Sequence, residues 1–229
     1  MLKRQIKCKH VWIFTTAFAF VQLSITLEAV SLAVWQHWES DVTLTTSQQL
    51  FYQENGYVLV PELLSSSECT RLRQEMHDIA AQEGHSDATW DSVRGENTAL
   101  SHCHDVHFRS GAVTRLLTHS GLIEVAKDLI GPNVQLHHTK MFIKPPEKGS
   151  PFPMHQDFPY FPHRNHTMIA AIIHLDDAPV EKGCLRFYPG THTQGPLPSF
   201  GKDRHACMET YPIDRATPVP ARAGDVVFE

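Results

Sequence analysis

The residues best placed to do chemistry lie in Met154-His155-Gln156-Asp157, where an imidazole and a carboxylate stand two positions apart. On extended backbone, residues two apart project to the same side. His155 and Asp157 can therefore reach for one metal ion. With a second histidine from elsewhere they make the 2-His-1-carboxylate facial triad, which leaves three open positions on non-haem Fe(II) for cosubstrate and oxygen. The chain holds 16 histidines, a residue that supplies metal ligands and proton shuttles near neutral pH. Most of them read as a solvated, buffering surface. A competing cluster, His102-x-His104 with His107, would suit a zinc or other divalent-metal hydrolase, but no HExxH pattern or glutamate base accompanies it.

The elements that must position these residues change character along the chain. Helix patterns come first. Gln48 to Asn55 is helical and closed by Gly56. Ser65-Ser-Ser-Glu68 has capping-box form and opens a helix with Leu72, Met76, Ile79 and Ala80 on one face, ended by Gly84. His119 to Ile130 is a second amphipathic helix, stopped by Gly131-Pro132. Tyr57 to Val60 is a short strand before Pro61. Residues 85–111 read as a long polar loop. After Pro132 strands take over: Val134 to Ile143, then the almost wholly apolar Thr167 to Leu175, Cys184 to Tyr188, and Asp225 to Phe228. Helices followed by short strands with Gly/Pro turns imply an α+β fold around a β-sandwich or barrel.

Composition narrows the function classes. At 229 residues with 41% hydrophobic and 20% charged residues, the chain is neither disordered nor a coiled coil. A net charge of -5 argues against binding nucleic acid through phosphate neutralisation. Five cysteines without a CxxC pair suggest neither a disulfide framework nor a zinc ribbon. The N-terminus differs. Lys3, Arg4, Lys7 and Lys9 precede a mostly apolar run from Val11 to Trp35, the layout of a signal peptide or signal anchor. Residues 1–45 are thus expected to be an extension, which either associates with a membrane through residues 11–35 and gives a secretory or membrane-anchored location, or leaves the chain intracellular. The Asn165-His-Thr167 sequence fits the N-glycosylation pattern.

Around the metal motif stand His138-Thr-Lys-Met-Phe-Ile-Lys-Pro-Pro146, Pro153-Met-His-Gln-Asp157, Tyr160-Phe-Pro162 and Glu181-Lys-Gly-Cys-Leu185. Tyr188-Pro-Gly-Thr-His192 and Gly224-Asp-Val-Val-Phe228 follow. In this order and spacing the set resembles the phytanoyl-CoA dioxygenase family of Fe(II)- and 2-oxoglutarate-dependent oxygenases, over roughly residues 48–229. The resemblance implies a double-stranded β-helix, a jelly-roll or cupin-like barrel, with flanking helices. It implies His155 and Asp157 as iron ligands, 2-oxoglutarate as cosubstrate, O2 as oxidant, and hydroxylation of a C–H bond in a small organic or acyl substrate. An ungapped match from His138-Thr139 places Lys140 and Ile173 against the cosubstrate. If Lys140 points inward, its ammonium can pair with a cosubstrate carboxylate; otherwise it faces solvent. Tyr160 and Phe161, just after the motif, either line the substrate pocket or pack at the barrel mouth. His192 reads as a loop histidine.

In that family the Gly-Asp-x-x-Phe motif leads within about half a dozen residues to a distal iron-binding histidine, and then to a carboxylate-anchoring arginine. Here Gly224-Asp-Val-Val-Phe228 is followed by Glu229 alone. The third ligand is therefore expected to be missing, with the barrel incomplete at the C-terminus. Two functions stay open on the sequence: an oxygenase, or a non-catalytic family member that binds a partner or is tethered to a membrane.

Overall fold

The computed structural model describes residues 10–14, 42–83, 101–144, 152–165, 167–200, 205–206 and 209–229. The first strand, β1 (His10–Phe14), is followed by helix α1 (Thr46–Asn55). Thr45 and Gln48 close a capping box on α1, satisfying amide donors that the first turn cannot. Gly56 ends the helix at φ 80°, a left-handed conformation that costs glycine little. A side chain there would also strike the His192 ring packed against it. Strand β2 (Val58–Val60) leads to helix α2 (Ser66–Glu83). Ser65 and Glu68 form its capping box as expected: the Ser65 amide donates to Glu68 Oε2 at 2.8 Å and the Glu68 amide to Ser65 Oγ at 3.3 Å. Gly84 lies outside the described residues.

The expected loop over 85–111 is partly structured. Strand β3 (Ser101–His104) and a single 3-10 turn at Val106–Phe108 fall inside it. Polar composition hid β3 because it is an edge strand, where only one side meets the sheet. Helix α3 (Gly111–Leu116) is capped by Ser110, whose hydroxyl also donates to Glu75 on α2 at 2.8 Å. Helix α4 (Ser120–Ile130) buries Leu122, Val125 and Ala126. The later strands are β4 (Lys140–Lys144), β5 (Ala171–His174), β6 (Leu185–Phe187), β7 (Ser199–Phe200), β8 (His205–Ala206), β9 (Thr217–Val219) and β10 (Val226–Phe228).

Six strands join in the order β2-β10-β5-β1-β4-β3, and β6 pairs with β9 and β7 with β8. Among the described residues all the ladders are antiparallel. Period-two alternation splits the large sheet. Met141, Ile143, Ala171, Ile173, Val226 and Phe228 face the helices, in one core with Leu72, Met76, Ile79, Leu122 and Val125. Ile172 and Val227 face the opposite way, in a second core with Tyr57 and Val219 that Phe142, Leu185 and Phe187 pack against. Tyr57 stacks on Phe187 with centroids 4.3 Å apart. The result is three layers: helices, the six-stranded sheet, and the β6–β9 pair. Among the described residues these sheets do not close into a barrel, since β2 and β3 end the large sheet without pairing to one another.

Residues 10–14 depart from the expected extension. His10–Phe14 sits between β4 and β5, with Trp12 opposite both Phe142 and His174. The apolar residues Val11–Phe14 satisfy a central strand as well as the start of a membrane segment, and only pairing partners distinguish the two. Residues 15–41 lie outside the described residues. No helix among the described residues is long and apolar enough to cross a membrane, and the possible membrane association through residues 11–35 finds no support in the fold.

Gly224-Asp225 locks the end of this sheet. Asp225 accepts from the Glu62 amide at 2.9 Å and the Arg222 amide at 2.7 Å. Its carbonyl receives the His174 amide, and the Gly224 amide donates to the His174 carbonyl. Gly224 has φ 101°, and the Leu64 carbonyl occupies the space a Cβ would need. The motif therefore fixes β10 to β5 and to the turn before α2.

Candidate metal centre

His155 and Asp157 lie in a segment without regular secondary structure that bends at Asp157 into a turn. Their side chains converge as the two-residue spacing requires: His155 Nε2 stands 3.4 Å from Asp157 Oδ1. The other ring nitrogen, Nδ1, donates to the Pro153 carbonyl at 2.8 Å. That bond fixes the tautomer and aims Nε2 at the carboxylate, the outer support that metal-binding histidines use. Tyr160 and Phe161 amides both donate to the Asp157 carbonyl, at 2.9 and 3.1 Å. The turn they make folds the Tyr160 ring edge-on to His155 at 5.8 Å and brings Phe161 within 5.0 Å of His137 and His138. Phe152 covers His155 from another side at 5.0 Å and leans on Phe142.

The charges are arranged around this pair. Burial works against the charged imidazole of His155, yet the Asp157 hydrogen bond and charge outweigh it, and its pKa is raised. Burial likewise opposes ionised Asp157, but His155, His138 and Lys140 hold its carboxyl below the ordinary range. Lys140 projects from β4 on the face shared with Phe142, its ammonium 4.5 Å from the centre of that ring. Burial lowers its pKa and Asp157 acts in the opposite sense. Lys140 therefore stands within electrostatic reach of the carboxylate.

Ile173 stands elsewhere. It is fully buried in the helix-side core, on the sheet face opposite to Phe142 and Ile172. The odd-even phase of β5 decides this: Ile172, its neighbour, is the residue on the side of Phe142. The structure thus brings together His155, Asp157, Lys140, Tyr160 and Phe161, and separates Ile173 from them.

Three further groups join the site. Glu229 follows Val227 by two, and its backbone exchanges hydrogen bonds with Ala170 at 2.9 and 3.1 Å. Burial and the Asp157 charge push its pKa up to about 7, against the pull of His155. The period-two signal from Val227 was available in the sequence. His138 and His104 also gather here. Burial lowers both, and the two rings lie 6.3 Å apart. His137 and His138 share a hydrogen bond between Nδ1 atoms at 2.7 Å. His107 instead bonds Thr139 Oγ1 at 2.8 Å, and the side chain of His102 lies outside the described residues. Among the described residues no group of three or more His, Cys, Asp and Glu could hold a metal. For iron, the donor set is an imidazole and a carboxylate aimed at one point, which fits two corners of a facial triad.

Comparison with known proteins bears on this geometry. Residues 52–228 match the family model described as phytanoyl-CoA dioxygenase (PhyH). A probable phytanoyl-CoA dioxygenase of Caenorhabditis elegans is 30% identical over 217 residues, covering 81% of this chain and 67% of the relative. A methylphosphonate hydroxylase of Gimesia maris is 32% identical, covering 82% of this chain and 72% of the relative. The peroxisomal phytanoyl-CoA dioxygenase of Bos taurus is 29% identical over 71% of this chain, which spans 52% of the bovine protein. Among solved structures, the epimerase SnoN in complex with Fe3+, alpha ketoglutarate and nogalamycin RO superposes with a TM-score of 0.66. It is 29% identical, and the match covers 80% of this chain and 72% of that one.

Proposed function

Since this chain belongs to the phytanoyl-CoA dioxygenase family, we propose that it serves a non-haem Fe(II)- and 2-oxoglutarate-dependent oxygenase that hydroxylates a small organic or acyl substrate. The observation that carries the reading is the 3.4 Å approach of His155 Nε2 and Asp157 Oδ1, with Nδ1 tied to Pro153. On this reading the layered sheets belong to a jelly-roll of the double-stranded β-helix kind, the fold class the resemblance implies.

Bound iron would supply oxygen activation, coupling oxidation of 2-oxoglutarate to succinate and CO2 with hydroxylation of the substrate. The chain's residues do the rest. His155 would give Nε2 as a donor, and because a ligating imidazole nitrogen must be unprotonated, cation affinity would rise with pH through its titration. Asp157 supplies the carboxylate, kept ionised by its cationic neighbours. Lys140 offers an ammonium to a carboxylate of 2-oxoglutarate, a charge-assisted contact on the same sheet face. Tyr160 and Phe161 wall the site and exclude water from one side. Ile172, rather than Ile173, lies on the sheet face that could meet a ligand.

The test is direct. The purified chain is mixed anaerobically with Fe(II) and 2-oxoglutarate and read for the weak visible metal-to-ligand band. Oxygen is then admitted and succinate measured. A band and succinate are expected. Neither appearing would sink the reading and leave the non-catalytic binding protein in its place.

A further inference from the structure

We propose that Gln156 is a positioning residue, whose carboxamide straps the loop at 191–197 to the backbone between the two metal-donating side chains. The inference rests on the iron reading above. His155 and Asp157 turn toward one another, whereas the Gln156 side chain reaches away to the 191–197 loop. It therefore does not compete for the cation. Its carboxamide meets a separate loop instead. Nε2 donates to the Gly195 carbonyl at 3.2 Å, and Oε1 accepts the Leu197 amide at 2.8 Å. One side chain thus engages two residues of that loop as a neighbouring strand would. A primary amide is the group that offers both a donor and an acceptor at this spacing.

The other end of the loop is fastened to α1. The Gly190 amide donates to the Asn55 carbonyl at 3.1 Å. His192 Nε2 donates to the Gln53 carbonyl at 3.1 Å, with its ring against Gly56. Between the anchors runs a 3-10 turn, Thr191–Gln194, flanked by Gly190 at φ 78° and Gly195 at φ 71°. Thr191 and Thr193 hydroxyls tie it internally, to the Tyr188 and Gly190 carbonyls. A continuous path therefore runs from the C-terminal turn of α1, through the strap, to the residue flanked by both donors. Residues 152–157 belong to no strand. Their backbone lacks a ladder to hold its orientation, and Gln156 supplies two of the bonds a ladder would give.

The test uses the full chain and Co(II) as a spectroscopic stand-in for Fe(II). Gln156→Met keeps length and approximate volume but loses the paired hydrogen bonds. Co(II) affinity is expected to fall about 10- to 100-fold, the usual effect of removing an outer support of a metal ligand. The visible Co(II) band should shift, and amide exchange at Leu197 should speed up, while the thermal midpoint stays within a few degrees. Gln156→Glu keeps the acceptor for Leu197 and loses the donor to Gly195, so it should fall between wild type and Gln156→Met. Co(II) uptake and band unchanged in Gln156→Met, with Leu197 released, would overturn the positioning role alone. A wild-type chain that takes up no Co(II) would overturn the iron reading and the strap's purpose with it. If Gln156→Met does not fold, Gln156→Glu decides: wild-type affinity and band there refute the proposal.

Discussion

The two faces of the six-stranded sheet are built from the same strands and do opposite work. Toward the helices, β4, β5 and β10 present Met141, Ile143, Ile173, Val226 and Phe228, all sealed from solvent. Toward the other side the same strands offer Lys140, Phe142 and Ile172, and Val227 leads on to Glu229. The first face is uniformly apolar and holds the fold together through burial. The second mixes aliphatic, aromatic and charged groups, and the pair of His155 and Asp157 acts electrostatically on its Lys140 and Glu229. A one-residue step along a strand is therefore the difference between a stability residue and a site residue.

The contrast is broken most severely from the helix side. Phe228→Ala opens a cavity in a fully buried position and should destabilise the chain by about 3–5 kcal/mol, read by urea unfolding. A loss below about 1 kcal/mol would mean the helix face is not the main core. On the site side, His155→Ala should reduce Co(II) or Fe(II) affinity at least about 100-fold while unfolding midpoints barely move. Equal metal binding would remove His155 from the centre.

Glu229→Gln probes the cost of a charge on the site face. A carboxyl whose folded-state pKa is raised favours folding when protonated. That contribution is present below the ordinary glutamate pKa and is lost as pH rises through about 7. The variant should gain roughly 1–3 kcal/mol over wild type near about pH 8 and almost nothing near about pH 4. Urea titrations of the metal-free chain at both pH values measure it, and a pH-independent difference would contradict the burial of that carboxylate. The smallest effect sharpens the division itself. Ile173→Val should cost about 0.5–1.5 kcal/mol of stability and leave 2-oxoglutarate affinity unchanged. A selective loss of cosubstrate binding would put Ile173 back at the site.

Legibility followed the range of the interactions involved. The caps at Thr45, Ser65 and Gly56 use neighbours within a few residues, and two of the three were readable: the Ser65–Glu68 box and the Gly56 stop. The approach of His155 to Asp157 was readable because a two-residue spacing can turn both side chains to one side. Motif spacing alone points to Ile173, whereas the phase of β5 puts Ile173 in the helix-side core and Ile172 on the side of Phe142. Strand β3 escaped notice because edge position relaxes the need for apolar residues. Strand β1 escaped because its apolar run suits a signal segment equally well. Val134 to Ile143 was too generous, since regular pairing starts only at Lys140. His192 could be recognised as a loop residue, but its contact with Gln53 and Gly56 joins positions far apart in the chain.

By itself, then, the sequence determined the chemistry on offer: one imidazole and one carboxylate on the same side, within motifs resembling an oxygenase family. It also placed α1, α2 and α4 ahead of the run of strands that starts at β4. The tertiary structure decided which residues share that site. It gathered Lys140, His138, Tyr160, Phe161 and Glu229 around the pair, turned Ile173 away, and set Gln156 against a loop some forty positions further on. Local pattern fixes the direction of a side chain relative to its own backbone. Only packing fixes what lies in that direction.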